Sequence, residues 1–244
     1  MAEKTSYLRS TLHPWPCLLF LLPLLGAYEL GVYLIGGTEA QALRNGADAW
    51  LRWVLDVYGI KPFLAAPGFI VGVFAIWSMR RWDDRPERNL NIVAGMWFES
   101  VIFAFGLWAI GHNFDPILRS VGVTLATADI TVPTGALSLI ITFVGAGIYE
   151  EVLFRLFLIT GIAAILKCAF VPNWAALLLA GVGSAVLFAA AHHIGPQGEA
   201  MDAFRFLYRV TAGLYFALLF WFRGFGVAVG THALYDVLVG VKIG

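Results

Sequence analysis

Long apolar stretches dominate this chain and restrict its fold more than any other feature. Eight of them follow one another, at roughly 14–36, 62–79, 91–111, 134–152, 154–171, 173–192, 204–222 and 225–242. A helix of about 20 apolar residues spans the hydrocarbon core of a bilayer. The chain of 244 residues is 60% hydrophobic and only 13% charged, which leaves too few charges for a water-exposed surface. The sequence therefore predicts an all-α, polytopic transmembrane helix bundle that is surrounded by the lipid bilayer.

The number of crossings depends on residues 134–171, where two apolar stretches are nearly continuous. If this run crossed only once, we would expect Glu150 and His192 on opposite sides of the membrane. Because both are candidate site residues, we predict eight crossings, with seven as the alternative. The basic connection 80–88 places the N-terminus in the cytoplasm by the positive-inside rule, and eight crossings return the C-terminus there. We therefore expect a multi-pass protein of the plasma (inner) membrane with both termini cytoplasmic.

The two halves of the chain carry different features. Residues 1–133 hold the first transmembrane stretches and the segment 47–60, whose tryptophans and tyrosine are interspersed with charged residues as in an interfacial amphipathic helix. Residues 134–244 carry all the site motifs. Sixteen Lys and Arg residues balance sixteen Asp and Glu residues, so no net charge is available to attract nucleic acid. The two cysteines, Cys17 and Cys168, show neither metal-ligand nor redox spacing.

Charged residues interrupt the apolar sequence around position 150. Glu150, Glu151 and Arg155 lie within six residues of one another. Charged groups at membrane depth are costly and generally mark a functional site or a bundle interior. Glu151 and Arg155 are four apart and share a helix face, so we expect them to pair, whereas Glu150 points about 100° away. Glu150 is therefore the candidate general base that activates water.

Two further motifs place histidines on apolar stretches. Phe188 lies four residues before His192 on the same helix face, where an aromatic ring can brace the imidazole. His232 lies four residues before Asp236, whose carboxylate can orient the imidazole or share a ligand with it. Each motif alone is weak evidence for a site. Three such motifs on separate apolar stretches together indicate one.

In this order the three motifs resemble the CAAX-protease and bacteriocin-processing family of intramembrane endopeptidases, also called the Abi family. This family includes the Ras and a-factor converting enzyme, a type II CAAX prenyl protease. Its pattern is Glu-Glu-x-x-x-Arg, then Phe-x-x-x-His, then His-x-x-x-Asn or Asp. The chain has Glu150-Glu151-x-x-x-Arg155, Phe188-x-x-x-His192 and His232-x-x-x-Asp236. The resemblance covers the C-terminal half of the chain, residues 134–242.

The resemblance implies an endopeptidase in which Glu150 and His192 activate a water that attacks a peptide carbonyl. It places His232 and Asp236 on the oxyanion side. The residues to which it gives a supporting role are Glu151, Arg155 and Phe188. Asp236 stands where the prenyl-protease branch has asparagine, so it lacks the amide donor and is expected to orient His232 instead. The expected partner is a peptide or membrane-anchored protein substrate, and no cofactor is expected.

Three alternatives use the same residues differently. In a zinc-dependent intramembrane protease, Glu150, His192 and His232 would be the metal ligands, although the chain has no His-Glu-x-x-His motif. A bacteriocin-immunity or assembly protein would keep the fold without the chemistry. A transporter would use the carboxylates and histidines as a proton relay, but no inverted repeat supports this reading.

Four further charged residues lie in or beside the apolar stretches but outside the three motifs. Glu29 and Glu99 are single acids in apolar stretches, and we predict that they bond to other helices rather than line the site. Arg205 and Arg209 begin an apolar stretch. We predict that they hold its end at the lipid headgroups rather than contact a substrate carboxylate.

Overall fold

The computed structural model describes residues 6–36, 40, 43–60, 63–124, 135–195 and 198–241. Within these ranges the chain is helical and has no strands, which confirms the all-α prediction. The helices are α1 (Tyr7–Ser10), α2 (Pro14–Gly36), α3 (Gly46–Val57), α4 (Ala65–Arg80), α5 (Asn89–His112), α6 (Phe114–Ser120), α7 (Ala136–Glu151), α8 (Thr160–Cys168), α9 (Asn173–Ala191), α10 (Ala203–Arg223) and α11 (Phe225–Gly240). A 3-10 turn, Trp82–Asp84, follows α4, and a π-helix, Val152–Ile159, joins α7 to α8. The predicted boundary between the halves, at 133–134, lies outside the described residues.

Several of these helices match the dimensions of a bilayer. In the described ranges, α2, α5, α9 and α10 are long and apolar enough to cross a membrane, and α4 and α11 are shorter apolar helices. Their number shows a multi-pass membrane protein.

Residues 136–168 form one continuous helix, so the predicted turn between the stretches 134–152 and 154–171 is wrong. The backbone at Val152 and Thr160, where the π-helix begins and ends, stays in the right-handed helical region. At 1.5 Å per residue this helix is about 50 Å long, and Glu150 lies near its middle. The 19-residue α9 returns alongside the π-helix and α8 and therefore ends beside Glu150. One crossing by the helix 136–168 is therefore enough to place Glu150 and the end of α9 at the same depth.

The described residues contain seven helical segments that alternate in direction: α2, α4, α5, the helix 136–168, α9, α10 and α11. These seven segments match the alternative count of seven crossings rather than the predicted eight. Because the number is odd, the described chain begins and ends at opposite ends of the bundle. Tyr7 lies near the start of α11, whereas Gly240 packs against Phe143 near the start of α7. A path of eight crossings would instead have put both termini on one side.

Basic residues gather at the end of the bundle where α1 lies. His13 Nε2 lies 3.0 Å from a backbone carbonyl oxygen of the 80–88 connection. The Arg223 guanidinium lies over the Tyr7 ring, 5.6 Å from its centroid. Lys167 reaches the same end because the helix 136–168 runs toward it. Eight crossings would have placed Lys167 and Arg223 at the end of the bundle opposite the 80–88 connection. In the observed path both residues lie at the same end as this connection, as the positive-inside rule favours.

Helix α11 lies at the centre and packs against α2, α5, α7 and α10. All of its residues from Phe225 to Ala233 are buried. One close neighbour is Gly147 of α7, where an added Cβ would lie 2.7 Å from the backbone nitrogen of Ala233 and 2.9 Å from the carbonyl oxygen of Val229. Small residues permit this approach between membrane helices. The close crossing of α7 and α11 places His232 next to the carboxylates that follow Gly147.

Helix α3 buries Asp48 and exposes aromatic side chains. Asp48 is fully buried, whereas the Trp53 side chain is 67% exposed. Arg44 Nη1 and Arg52 Nε each lie 2.7 Å from a carboxylate oxygen of Asp48, and both arginines also pair with Glu29 of α2. The polar face therefore docks on the bundle and leaves an apolar face outward, as an interfacial helix requires. Its location at the membrane interface stays a prediction.

Candidate active site

Glu150 lies near the end of α7, between α11 and the residues that begin α3. Asn45 Nδ2 donates a hydrogen bond to Glu150 Oε1 at 2.7 Å. The second oxygen, Oε2, has no hydrogen-bond partner among the described residues and lies 3.7 Å from His232 Nε2. One carboxylate oxygen is therefore held, and the other is buried without a hydrogen-bond partner among the described residues.

Glu151 and Arg155 pair as their four-residue spacing predicts. Arg155 Nε lies 3.2 Å from Glu151 Oε2, and both side chains are completely buried. Arg155 also donates to the carbonyl oxygen of Gly213 at 3.1 Å, and its guanidinium lies 4.7 Å from the centroid of the Phe188 ring. Removing one partner of a buried ion pair typically costs about 3–5 kcal/mol. The pair therefore ties the helix 136–168 to α9 and α10.

His232 connects the carboxylates of α7 and α11. Its Nδ1 lies 2.8 Å from Glu151 Oε1, and its Nε2 lies 3.5 Å from Asp236 Oδ2. The imidazole stacks on the Phe216 ring with centroids 4.4 Å apart. The predicted approach of Asp236 to His232 is thus observed. The contact with Glu151 was not predicted, because the sequence paired Glu151 only with Arg155.

His192 is the residue that ends α9. Its Nδ1 lies 2.8 Å from the carbonyl oxygen of Phe188, and because a carbonyl only accepts, Nδ1 is the donor. In the neutral imidazole Nε2 is then the acceptor. The Phe188 ring meets both imidazoles edge to face, with centroids 5.0 Å from His192 and 5.8 Å from His232. This confirms the predicted contact between Phe188 and His192 and adds His232 to it.

Two cavities adjoin these side chains. The larger, about 460 Å³, is of a size typical of ligand sites, and the second, about 410 Å³, lies between the start of α3 and the end of α9. All four residues predicted to be catalytic line the larger cavity: Glu150, His192, His232 and Asp236. The residues that line both cavities are Asn45, Glu150, His192 and Glu199. The structure therefore brings the three sequence motifs to one continuous space.

Arg205 and Arg209 face the larger cavity, which differs from the predicted role at lipid headgroups. Arg209 Nη2 lies 2.7 Å from Glu199 Oε1, and Arg205 Nη1 lies 3.6 Å from Glu199 Oε2. Burial raises the pKa of the Glu199 carboxyl, but the hydrogen bond and charge of Arg209 outweigh it and hold the pKa below its usual value. Two guanidinium groups therefore share the Glu199 carboxylate at this wall of the cavity.

Asn45 is the site residue that the sequence motifs missed. It is a single polar residue in a connection, and its one local signal is that of a helix N-cap, an asparagine three residues before an acid. The predictions for the lone acids agree better with the structure. Glu29 accepts from Tyr149 at 3.0 Å beside the site, and Glu99 pairs with Arg223 at 2.6 Å away from both cavities.

The side chains do not fit the zinc alternative. Over the described residues no group of three or more His, Cys, Asp and Glu side chains is arranged to hold a metal ion. The ligands that zinc would need, Glu150, His192 and His232, are thus not arranged around one ion. The expectation of a reaction without a cofactor stays a prediction.

The fold and these side chains define a class of protein, a multi-pass membrane protein with carboxylates and imidazoles buried beside a cavity. Residues 132–238 match the family model described as Type II CAAX prenyl endopeptidase Rce1-like. These residues are fewer than half of the chain, but they contain all three motifs and are similar to this endopeptidase family, so the resemblance seen in the sequence is confirmed. No curated protein and no solved structure matches the chain.

Proposed function

We propose that the protein is an intramembrane endopeptidase that cleaves a membrane-associated peptide or precursor protein with a water molecule activated by Glu150 and His192. The observation that carries the proposal is that Glu150, whose Oε2 has no hydrogen-bond partner among the described residues, lines a cavity that His192 also lines. The match of residues 132–238 to an endopeptidase family supports the reaction class.

Water activation follows from the hydrogen bonds that these two residues already make. Asn45 takes only one acceptor position of the Glu150 carboxylate, so a water in the cavity binds at a remaining position and gives up a proton to the carboxylate. Nδ1 of His192 is occupied by the Phe188 carbonyl, so Nε2 is the nitrogen that accepts from the water or carries the proton to the leaving amine. The water oxygen attacks the peptide carbonyl carbon, and the C–N bond then breaks as the leaving nitrogen receives the proton that the water gave up.

His232 is the proposed donor to the oxyanion that this attack creates. The bond from Nδ1 to Glu151 sets the ring so that Nε2 faces Glu150 and Asp236. When His232 is protonated, Nδ1–H bonds to Glu151 and the second N–H, at Nε2, stabilises negative charge that develops on the carbonyl oxygen. Asp236 has no N–H to offer and orients His232 instead, which accounts for an aspartate in place of an asparagine.

The proposed substrate is wider than the family name, which refers to prenylated CAAX proteins. The larger cavity accommodates a peptide segment rather than a folded domain. The proposed location is the plasma (inner) membrane, with the basic end that contains Arg223 in the cytoplasm.

The test compares the membrane proteomes of cells that produce the wild type or Glu150→Gln at equal levels. Glutamine keeps an oxygen that accepts from Asn45 but cannot take a proton from water, so we expect one uncleaved precursor to accumulate. With a peptide that spans its cleavage site, kcat of Glu150→Gln should fall by about 10²- to 10⁴-fold.

The matched control is Glu99→Gln, which changes another glutamate of a membrane helix that lines neither cavity. It should leave precursor cleavage intact at equal protein level. If Glu150→Gln processed every precursor as the wild type does, the protein would not act by this chemistry, and the immunity or assembly reading would replace the proposal.

A further inference from the structure

The side chain of Asn45 connects the N-terminal half of the chain to the proposed general base. It comes from outside residues 132–238, which match the endopeptidase family, and its amide contacts Glu150 across 105 positions of sequence. We infer that Asn45 is a positioning residue that holds the Glu150 carboxylate in the orientation needed for water activation. The inference rests on the proposed function.

The hydrogen bonds of Asn45 determine which way its amide faces. Asn45 is the N-cap of α3, and its Oδ1 accepts from the backbone nitrogen of Ala47 at 2.7 Å. Because Oδ1 is committed to an N–H donor, the NH₂ group must face the other way, toward Glu150. The amide therefore acts as a fixed donor to Oε1, also at 2.7 Å.

The segment that carries Asn45 is itself held by buried ion pairs. The neighbouring Arg44 pairs with Asp48 at 2.7 Å and with Glu29 of α2 at 3.2 Å. The backbone N–H of Asn45 donates to the Tyr28 hydroxyl at 3.3 Å. These contacts hold the start of α3 on α2, so the amide has little freedom to follow a moving carboxylate.

Holding Oε1 determines where Oε2 points. With one oxygen bonded to Asn45, the carboxylate cannot rotate freely, and Oε2 stays 3.7 Å from His232 Nε2. Catalytic groups need supporting hydrogen bonds of this kind to keep a productive geometry. Without the amide, Glu150 would turn toward His232 and leave the water without its base.

The test separates the amide donor from the helix cap. Asp and Ser are both good N-caps, so Asn45→Asp and Asn45→Ser keep α3 capped but remove the donor to Glu150. With the peptide identified through Glu150→Gln, we expect kcat to fall by about 10- to 100-fold in both variants. The KM should change little, and the melting temperature in detergent should stay near that of the wild type.

The matched control is Asn113→Asp, which changes an exposed asparagine whose amide donates only to the Ala109 carbonyl. It should keep the wild-type kcat. The inference is overturned if Asn45→Asp and Asn45→Ser keep the wild-type kcat while Glu150→Gln is inactive, or if their loss of kcat merely accompanies a large fall in melting temperature. An active Glu150→Gln would instead contradict the proposed function itself.

Discussion

Replacing Gly147 by alanine tests how the bundle positions the site. The new Cβ would lie 2.7 Å from the backbone nitrogen of Ala233, whereas ordinary contact begins at 3.4 Å. The contacted atoms belong to a backbone, so no side-chain rotation can relieve the clash. Helix α11 must therefore move away from α7 by about 0.7 Å, and His232 must move with it.

The displacement has two measurable consequences. Overpacking of this kind typically costs about 1–3 kcal/mol of stability. In a chain of this size each kcal/mol corresponds to about 2–4 °C in melting temperature. Misplacement of a catalytic group by about 1 Å can cost about 100-fold in rate, so we expect kcat of Gly147→Ala to fall by about 10- to 100-fold.

The assay combines thermal unfolding in detergent with cleavage of the peptide identified above. The matched control is Gly161→Ala in α8 of the same continuous helix, where an added Cβ meets nothing within 4 Å. It should leave both the melting temperature and kcat near the wild-type values. If Gly147→Ala also matched the wild type in both measurements, the close crossing of α7 and α11 would not position His232.

Two further predictions concern the ends of the bundle. Seven alternating segments place Cys168, which is exposed, at the basic end and Met201, which is 69% exposed, near the cavity at the other end. A membrane-impermeant maleimide should therefore label Cys168 only from the cytoplasmic side. It should label Met201→Cys, in a Cys168→Ala background, only from the opposite side. Labelling of both cysteines from one side would contradict this path. The second prediction concerns Glu199, whose pKa is lowered in the folded state mainly by Arg209 against the effect of burial. Its stabilising contribution should be present above the unfolded pKa of about 4.3 and be lost as the pH falls through the folded pKa. The melting temperature of Glu199→Gln should thus lie below that of the wild type at neutral pH, and the difference should disappear in acid; a difference that did not change with pH would refute this electrostatic origin.

The sequence alone determined the features that depend on short spacing. The apolar stretches predicted an all-helical membrane protein, because their length matches a bilayer whatever their neighbours are. Residues four apart share a helix face, so the pairing of Glu151 with Arg155 and the contact of Phe188 with His192 followed directly from position.

The tertiary structure decided which distant groups meet. Hydropathy is the same for one long helix and for two short ones, so only the structure showed that residues 136–168 do not turn and that seven segments suffice. Asn45 meets Glu150 across 105 positions, and Glu151 meets His232 across 81. Such contacts depend on where helices cross, as at Gly147, and the spacing of residues along one helix does not determine the position of the helix that packs against it.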